Sequence, residues 1–156
     1  MKVFFPFLAF GADHAGELLC SQLIKECVHK GQEYAKEVRD PGPIDYPSVV
    51  PFVVDHVKKG AGGVLICGSG IGISMAANRY KGMRAALCHD VTSTRLARQH
   101  NNANILVLGA RMIGETVALD CLDVFLTTEF QGGRHQGRIE AIDVLACSCP
   151  DFLRGV

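Results

Sequence analysis

The chain has 156 residues, 48% of them hydrophobic and 21% charged, and its sixteen basic and sixteen acidic residues give a formal net charge of zero. This length is typical of one domain with a substantial core, so we expect residues 1–156 to form a single domain. The balanced charge argues against nucleic acid or a membrane surface as a partner bound through bulk charge. No apolar run in the sequence has the length of a membrane span.

The N-terminal segment, MKVFFPFLAFGADHA, superficially imitates a secretory signal because one lysine precedes a short apolar run. Pro6 splits that run, however, and the polar pair Asp13 and His14 stands where a cleavage site would be expected. We therefore interpret residues 3–11 as a first strand with an irregular start at Pro6, and we expect a cytoplasmic protein.

Apolar runs and segments of helical periodicity alternate along the rest of the chain. The first half predicts a helix at 15–31, a strand at 33–38, a turn-rich loop and a helix at 48–59. The second half predicts strands at 62–68, 84–90 and 104–111, helices at 72–80, 91–101 and 114–130, and a last helix after the glycine turn at 132–133. The alternation indicates an α/β fold with one doubly wound, five-stranded parallel sheet of Rossmann-like or flavodoxin-like order 2-1-3-4-5. Helices should cover both faces of this sheet, with the last helix at the C-terminus.

Two unusual segments follow the first and third predicted strands. GADHAG occupies residues 11–16, and CGSGIG occupies residues 67–72. In a sheet of order 2-1-3-4-5, strands one and three are neighbours where the strand order reverses. Ligands of such sheets bind at this point, outside the carboxyl ends of the strands. The sequence therefore predicts a binding crevice between the two segments.

The glycine-rich segment 67–72 has the composition of an anion-binding loop. Successive backbone N–H groups at a helix start can surround an anion. The segment lacks the Gly-Lys-Ser/Thr ending of a Walker A loop, and its G-x-G-x-G spacing differs from the dinucleotide fingerprint G-x-G-x-x-G. Asp90 ends the fourth strand, where a ribose-binding acid would stand, so a nucleotide-binding regulatory module stays open as an alternative. A second alternative to an anion-binding loop is a tight strand–helix turn that binds no ligand.

Cys67 stands at the start of this loop. A thiol at a strand end is ordinarily a small buried residue, but beside backbone amides it can act as a nucleophile or a general base. A redox-responsive thiol protein is a further alternative. Nucleophilic catalysis needs a histidine. The sequence does not choose among four candidates: His14, His89, His100 and His135.

Basic residues gather near the C-terminus. Arg134 and Arg138 have i,i+4 spacing, so on a helix they share one face, where two guanidinium groups suit a phosphate or a carboxylate. A solvated basic helix face is the ordinary alternative. Arg111 follows the fifth strand and would point toward the ligand edge. His100 and Asn101 close the helix after strand four, as an ordinary polar cap also does.

The seven cysteines match neither a disulfide framework nor a zinc site. Their number is odd, and Cys147 and Cys149 are too close in sequence to form a bridge. No second Cys or His pair has zinc-ligand spacing. We expect reduced thiols in a reducing compartment, and no metal. Four further cysteines lie in apolar strand or helix patterns, where a cysteine behaves as a small hydrophobic residue: Cys20, Cys27, Cys88 and Cys121.

Six motifs occur together and in order along the chain: GADHAG, DYP, GVLICGSGIGISMAANR, RQHNN, LGARMIG and FQGGRHQGR. Through these motifs, residues 7 to 146 resemble the ribose-5-phosphate isomerase B / galactose-6-phosphate isomerase family. The resemblance implies the doubly wound fold and a dimer or tetramer without metal or cofactor. It also implies the interconversion of aldose and ketose phosphates through an enediolate.

The same resemblance assigns the proton-transfer groups. Cys67 matches the base that removes the C2 proton of the sugar. Relatives without this cysteine use a glutamate six residues later, where this chain has Ile73. Ser69 matches a hydroxyl near the sugar oxygens. Backbone amides match the anion hole of the enediolate: Gly68, Ser69, Gly70, Ile71 and Gly72.

The remaining roles concern the ring and the phosphate. His100 matches the residue that helps to open the furanose ring, with Asp13 and Asn101 near the same hydroxyls. Tyr46 matches a residue of the pocket wall. The phosphate clamp has four matches, one of them from the partner subunit: His14, Arg134, Arg138 and the partner subunit's Arg111.

We therefore expect the chain to interconvert ribose 5-phosphate and ribulose 5-phosphate in the pentose phosphate pathway. An isomerase of galactose or allose 6-phosphate is the alternative, because the sequence does not reveal the length of the pocket. We also expect a homodimer, or a dimer of dimers, with sites shared between subunits. The strand order 2-1-3-4-5 places His100 and Arg111 too far along the ligand edge to reach the crevice of their own chain.

Overall fold

The structure is a computed structural model that describes residues 2–38 and 46–145. Residues 39–45 of the turn-rich loop predicted at 39–47 and the cysteines at 147 and 149 lie outside the described residues. The strands in the described part are β1 (Phe7–Ala12), β2 (Glu33–Val38), β3 (Gly62–Cys67), β4 (Ala85–Leu87) and β5 (Ile105–Gly109). The helices there are α1 (Glu17–His29), α2 (Val50–Val57), α3 (Ile71–Ala77), α4 (Val91–Asn101), α5 (Glu115–Thr127) and α6 (Gln136–Leu145). Short 3₁₀ helices at Tyr46–Val49 and Gly133–His135 precede α2 and α6.

The five strands form one parallel sheet of order β2-β1-β3-β5-β4. The predicted α/β class and the five-stranded parallel sheet are confirmed, but the predicted order 2-1-3-4-5 needs one correction, because β5 lies beside β3. β5 is buried along its whole length and pairs with β3 from Gly63 opposite Ile105 to Cys67 opposite Gly109. β4 has only three residues, all partly exposed, which suits it to the sheet edge.

The helices cover both faces of the sheet, as predicted. In β1, Leu8 and Phe10 pack into the core shared with α1 and α5, whereas Ala9 packs into the core shared with α2 and α3. β3 is buried at all six positions, as a central strand of a parallel sheet must be. Within the described ranges, no helix has the length and apolar character needed to cross a membrane.

β1 is shorter than predicted because the residues before Phe7 form an arm outside the sheet. Pro6 has no N–H to donate to a neighbouring strand. The arm is held by other contacts: the Phe4 N–H donates to the Leu126 carbonyl at 2.9 Å, and the Phe5 ring stacks on Phe125 at 5.1 Å. The irregular start that the sequence indicated at Pro6 is confirmed.

Arg98 is a buried cation that joins three segments at the end of α4. Its guanidinium donates to the Ala103 carbonyl at 2.5 Å, to the Thr128 carbonyl at 3.3 Å and to the Asn102 side-chain oxygen at 3.1 Å. It also lies 4.7 Å from the centre of the Phe5 ring. These contacts fix the C-terminal end of α4 against the start of β5 and the segment that follows α5.

We expect Arg98→Met to lower the free energy of unfolding by about 2–4 kcal/mol, because the buried carbonyl of Ala103 and the partly buried carbonyl of Thr128 lose their donor. Arg98→Lys should cost less, since the ammonium keeps the charge but lacks the planar fork. Urea denaturation measures both changes, with Arg95→Met on the exposed side of α4 as the control. A loss for Arg98→Met no larger than that of the control would contradict this role.

Candidate active site

A cavity of about 600 Å³ opens at the carboxyl ends of β1 and β3, where the sequence predicts a crevice. Its lining comes from the segments after β1, β3 and β5 and from the 3₁₀ helix before α2. The lining residues are Asp13, His14, Ala15, Tyr46, Cys67, Gly68, Ser69, Ile71, Gly72, Arg111 and Met112. The structure therefore brings most of the predicted site residues into one cavity, as expected at this point of a doubly wound sheet.

The loop after β3 folds around the sulfur of Cys67. The Gly70 N–H donates to Cys67 Sγ at 3.1 Å, and the Ile71 N–H donates to Ser69 Oγ at 3.3 Å. Two of the five amides proposed for an anion hole thus donate to side chains of the loop itself. These amides would have to exchange their partners in order to bind an anion. Gly70 lies beneath the cavity lining, whereas Cys67 and Ser69 belong to it.

Packing explains part of the glycine pattern in this loop. Gly70 has a φ of +78°, which an L side chain rarely adopts, and a Cβ there would overlap the side chain of Leu87. A Cβ on Gly72 would overlap the hydroxyl group of Tyr46. These two glycines are therefore needed for the loop to lie against β4 and against the cavity wall.

The loop after β1 supplies an acid and a histidine. Asp13 is 7% exposed, and its Oδ1 accepts a hydrogen bond from the Gly16 N–H at 2.9 Å, which fixes the turn before α1. A Cβ on Gly16 would lie 2.5 Å from the carbonyl oxygen of Ile66, so this turn packs directly on β3. His14 is exposed and lines the cavity with Asp13.

Arg111 lies in the cavity of its own chain. Its N–H donates to the Gly68 carbonyl at 2.9 Å, and its guanidinium would lie 3.5 Å from a Cβ on Gly68. The predicted strand order placed Arg111 too far away, and the family resemblance assigned this role to the partner subunit's Arg111. The structure differs because β5 is adjacent to β3, so the chain's own Arg111 meets the loop that begins at Cys67.

His100 and Asn101 lie at the opposite edge of the sheet from the cavity. α4 begins after β4 at the carboxyl edge and returns toward the start of β5. The Asn104 carbonyl, three residues beyond α4, accepts a hydrogen bond at 2.9 Å from Gly63, near the start of β3. Cys67 stands at the other end of β3, roughly 13 Å from Gly63 by the rise per residue of a strand. The prediction that His100 lies along the ligand edge is therefore wrong.

Arg134 and Arg138 lie beside His100, away from the cavity. The segment that carries them is fixed to α4, because the Gln131 N–H donates to the Gln99 carbonyl at 3.0 Å. Both arginines are exposed. We use the term distal cluster for the five residues gathered here: His100, Asn101, Arg134, His135 and Arg138.

His135 is the residue of the distal cluster that the sequence indicated only as one of four candidate histidines to act with Cys67. It is 5% exposed, and its ring stacks on His100 with centroids 4.3 Å apart and planes inclined by 7°. Burial, with smaller contributions from His100 and the two arginines, lowers the pKa of His135. Its place between Arg134 and Arg138 was the available signal, and that signal does not distinguish a buried ring from an exposed one.

Asp90 is engaged in local structure. Its carboxylate accepts hydrogen bonds from the N–H groups of Thr92 at 2.7 Å and Ser93 at 2.9 Å, as the N-cap of α4. These bonds, the one from the Ser93 backbone foremost, lower the pKa of Asp90. A ribose-binding acid would need this carboxylate, so the argument for a nucleotide-binding module loses its main residue.

Cys67 differs from the other described cysteines in its access to the cavity. The described cysteines are all free and buried. Burial raises the pKa of Cys20 to about 12 and that of Cys27 to about 11, so these thiols stay protonated at neutral pH. Among the described residues, no three His, Cys, Asp or Glu side chains form a group that could hold a metal ion.

The sequence matches the family described as Ribose/Galactose Isomerase over residues 8–142. Ribose-5-phosphate isomerase B of Escherichia coli K12 is 40% identical over 141 residues, which cover 88% of this chain and 95% of that protein. The D-erythrulose-4-phosphate isomerase of Pectobacterium atrosepticum is 37% identical over 140 residues, 86% of this chain and 91% of that protein. The chain therefore belongs to the ribose/galactose isomerase family.

Solved structures agree with this assignment. A ribose 5-phosphate isomerase RpiB from Thermotoga maritima has 44% identity and a TM-score of 0.84, over 88% of this chain and 97% of that one. Ribose-5-phosphate isomerase B from Mycoplasma genitalium with bound ribulose-5-phosphate has 36% identity and a TM-score of 0.84, over 92% of this chain and 98% of that one. The fold is that of these enzymes, and the protein is an isomerase.

Gly70→Ala tests the packing of the loop at Cys67. We expect it to lower the free energy of unfolding by about 1–3 kcal/mol more than Gly82→Ala does, because only Gly70 is enclosed by other atoms. Gly82 is a matched control, since it has the same φ of +78° but no atom within 4 Å of an added Cβ. Thermal and urea unfolding measure the difference. Equal losses for the two variants would show that backbone conformation alone requires Gly70.

Proposed function

We propose that this chain, as one domain, interconverts D-ribose 5-phosphate and D-ribulose 5-phosphate. The observation that carries the proposal is that Cys67, His14 and Arg111 line one cavity, so a base and two groups that suit a phosphate face the same ligand. Relatives named as ribose-5-phosphate isomerase B, aligned over nearly their whole length, support a phosphorylated pentose as the substrate.

In the proposed mechanism, Cys67 is the base that acts on the open-chain sugar. Its thiolate removes the C2 proton of the aldose, and the electron pair of that C–H bond forms the C1=C2 double bond while O1 becomes negative. The O2 proton then moves to O1, and C1 takes up the proton as the C2 carbonyl forms. Ser69 and the backbone amides from Gly68 to Gly72 stabilise the enediolate charge.

The phosphate is bound at the other end of the sugar by His14 and Arg111 of one chain. Arg134 and Arg138 complete this clamp, and they come from a second chain, because within their own chain they lie at the opposite sheet edge from the cavity. His100 and Asn101 of that second chain reach the sugar ring together with Asp13. This arrangement requires a homodimer, or a dimer of dimers, with one distal cluster closing each cavity.

We place this enzyme in the cytoplasm and in the pentose phosphate pathway. The described cysteines are free thiols, which suits a reducing compartment. The main alternative is another sugar phosphate of the same class, since the Pectobacterium relative is named for a four-carbon substrate. A galactose or allose 6-phosphate would use the same base and clamp in a longer cavity.

A coupled assay that offers four-, five- and six-carbon aldose phosphates side by side tests the substrate and the base together. We expect ribose 5-phosphate to have the highest kcat/KM. Cys67→Ala should lower kcat about 10²–10⁴-fold and leave the Kd for ribulose 5-phosphate within about threefold, because only the proton-transfer step is lost. Cys20→Ala, which removes a buried thiol that does not line the cavity, is the control. Wild-type turnover in Cys67→Ala would remove the central assignment.

Mixed dimers test the shared site. Cys67→Ala and His100→Ala homodimers should each be nearly inactive. Random pairing after co-refolding makes half of the dimers mixed, and each mixed dimer has one site with both substitutions and one with neither. Activity should therefore recover to about a quarter of the wild-type value. Absence of recovery, with subunit exchange demonstrated by native mass spectrometry, would place His100 outside a shared site.

A further inference from the structure

The stacked pair of His100 and His135 is an unusual arrangement for two titratable rings. The planes are nearly parallel and the centroids 4.3 Å apart, so each ring covers one face of the other. His135 is buried and His100 only half-buried, which leaves the ring of His100 as the one that a ligand can reach. His135 Nδ1 has no hydrogen-bond partner among the described residues, although the atom is fully buried.

The backbone before His135 is shaped to place this ring under His100. Gly132 and Gly133 have φ values of +61° and +54°, a left-handed conformation that side-chain-bearing residues rarely adopt. The His135 N–H donates to the Gly132 carbonyl at 3.0 Å, which closes the turn. The hydrogen bond from Gln131 to Gln99 fixes the same segment to the last turn of α4. Two independent constraints thus hold His135 against the helix that carries His100.

The charges around the pair determine which ring can hold a proton. Arg134 and Arg138 flank His135 on its own segment, and His100 faces it from α4. Two protonated imidazoles at this separation would repel each other strongly. Burial and the cationic neighbours lower the pKa of His135, which favours the neutral form of this buried ring.

We infer that His135 is a positioning residue for opening of the sugar ring: its buried imidazole supports the plane of His100 and leaves His100 to exchange the proton. This inference rests on the ring-opening role proposed for His100. Ring opening breaks the C1–O4 bond and forms the C1 carbonyl, while a proton leaves the O1 hydroxyl and another is added to O4. An imidazole held flat on one face presents its nitrogen-bearing edge in a fixed direction, which this transfer requires.

Anomer exchange of ribose 5-phosphate labelled with ¹³C at C1 measures ring opening without isomerisation when the enzyme carries Cys67→Ala. We expect this enzyme to accelerate the exchange. Adding His135→Ala should reduce the catalysed exchange at least about tenfold, and His135→Phe should retain it within about threefold, because phenylalanine keeps a flat neutral ring. The Kd for ribulose 5-phosphate should change by less than about threefold in both. His29→Ala, exposed at the end of α1, is the control and should change nothing.

Several outcomes would overturn the inference. Unchanged exchange with His135→Ala, in an enzyme where His100→Ala abolishes it, would show that His135 has no part in ring opening. If His135→Phe and His135→Ala reduce the catalysed exchange equally, His135 does not act as a flat support for His100. If both variants also weaken the binding of ribulose 5-phosphate to the same extent, His135 belongs to the phosphate clamp. If wild-type enzyme isomerises ribose 5-phosphate but Cys67→Ala does not accelerate exchange, the inference fails while the proposed function stands. If the wild type does not isomerise ribose 5-phosphate, the proposed function itself fails.

Discussion

The pairing of β3 with β5 is the constraint on which the cavity depends. β3 is buried throughout and ends at Cys67, which lies opposite Gly109 of β5. The pairing continues past the strands, since the N–H groups of Ala110 and Arg111 donate to the carbonyls of Cys67 and Gly68, each at 2.9 Å. Two loops that are far apart in sequence are thereby fixed to each other by backbone bonds, which side-chain motion does not break.

The two sheet edges divide the chemistry of the molecule. The carboxyl edge carries the thiol, the acid and Arg111 around the cavity, whereas the distal cluster lies about one strand length away. α4 separates the two groups because it starts at one edge and ends at the other. Within one chain, the residues that line the cavity and those of the distal cluster therefore do not meet.

The sequence was sufficient for the fold class and for the cavity, because both follow from local patterns. Strand–helix alternation requires a parallel sheet, and the unusual segments after β1 and β3 lie at the predicted crevice. The order of β4 and β5 was not predictable in this way. It depends on how much apolar surface each strand buries, and the run 84–90 looked as long as the others although only Ala85–Leu87 pairs.

The incorrect predictions at the site have two causes: the exchanged order of β4 and β5, and the burial of side chains, which the sequence does not reveal. The predicted order puts the strand before Arg111 at the sheet edge, too far from the cavity, whereas β5 is adjacent to β3. The eleven residues of α4 carry His100 back to the edge opposite the cavity. The stack of His135 on His100 could not be predicted from the sequence, because no sequence pattern distinguishes a buried histidine among arginines from an exposed one. The use of Asp90 as a helix cap has a local signal, because an aspartate directly before the helical segment VTS is typical of an N-cap.

The way in which Arg98 is bonded has a consequence for acid tolerance. Its partners among the described residues are carbonyl oxygens and aromatic rings, and none of these loses its function when carboxylates become protonated. Burial, with a contribution from Arg84, lowers the pKa of Arg98 to about 10, so the guanidinium stays charged at every pH below that value. Its contribution to stability is therefore constant from neutral to acidic pH, and only alkali discharges it. The junction of α4, α5 and the N-terminal arm is thus anchored by a charge that acidification leaves intact.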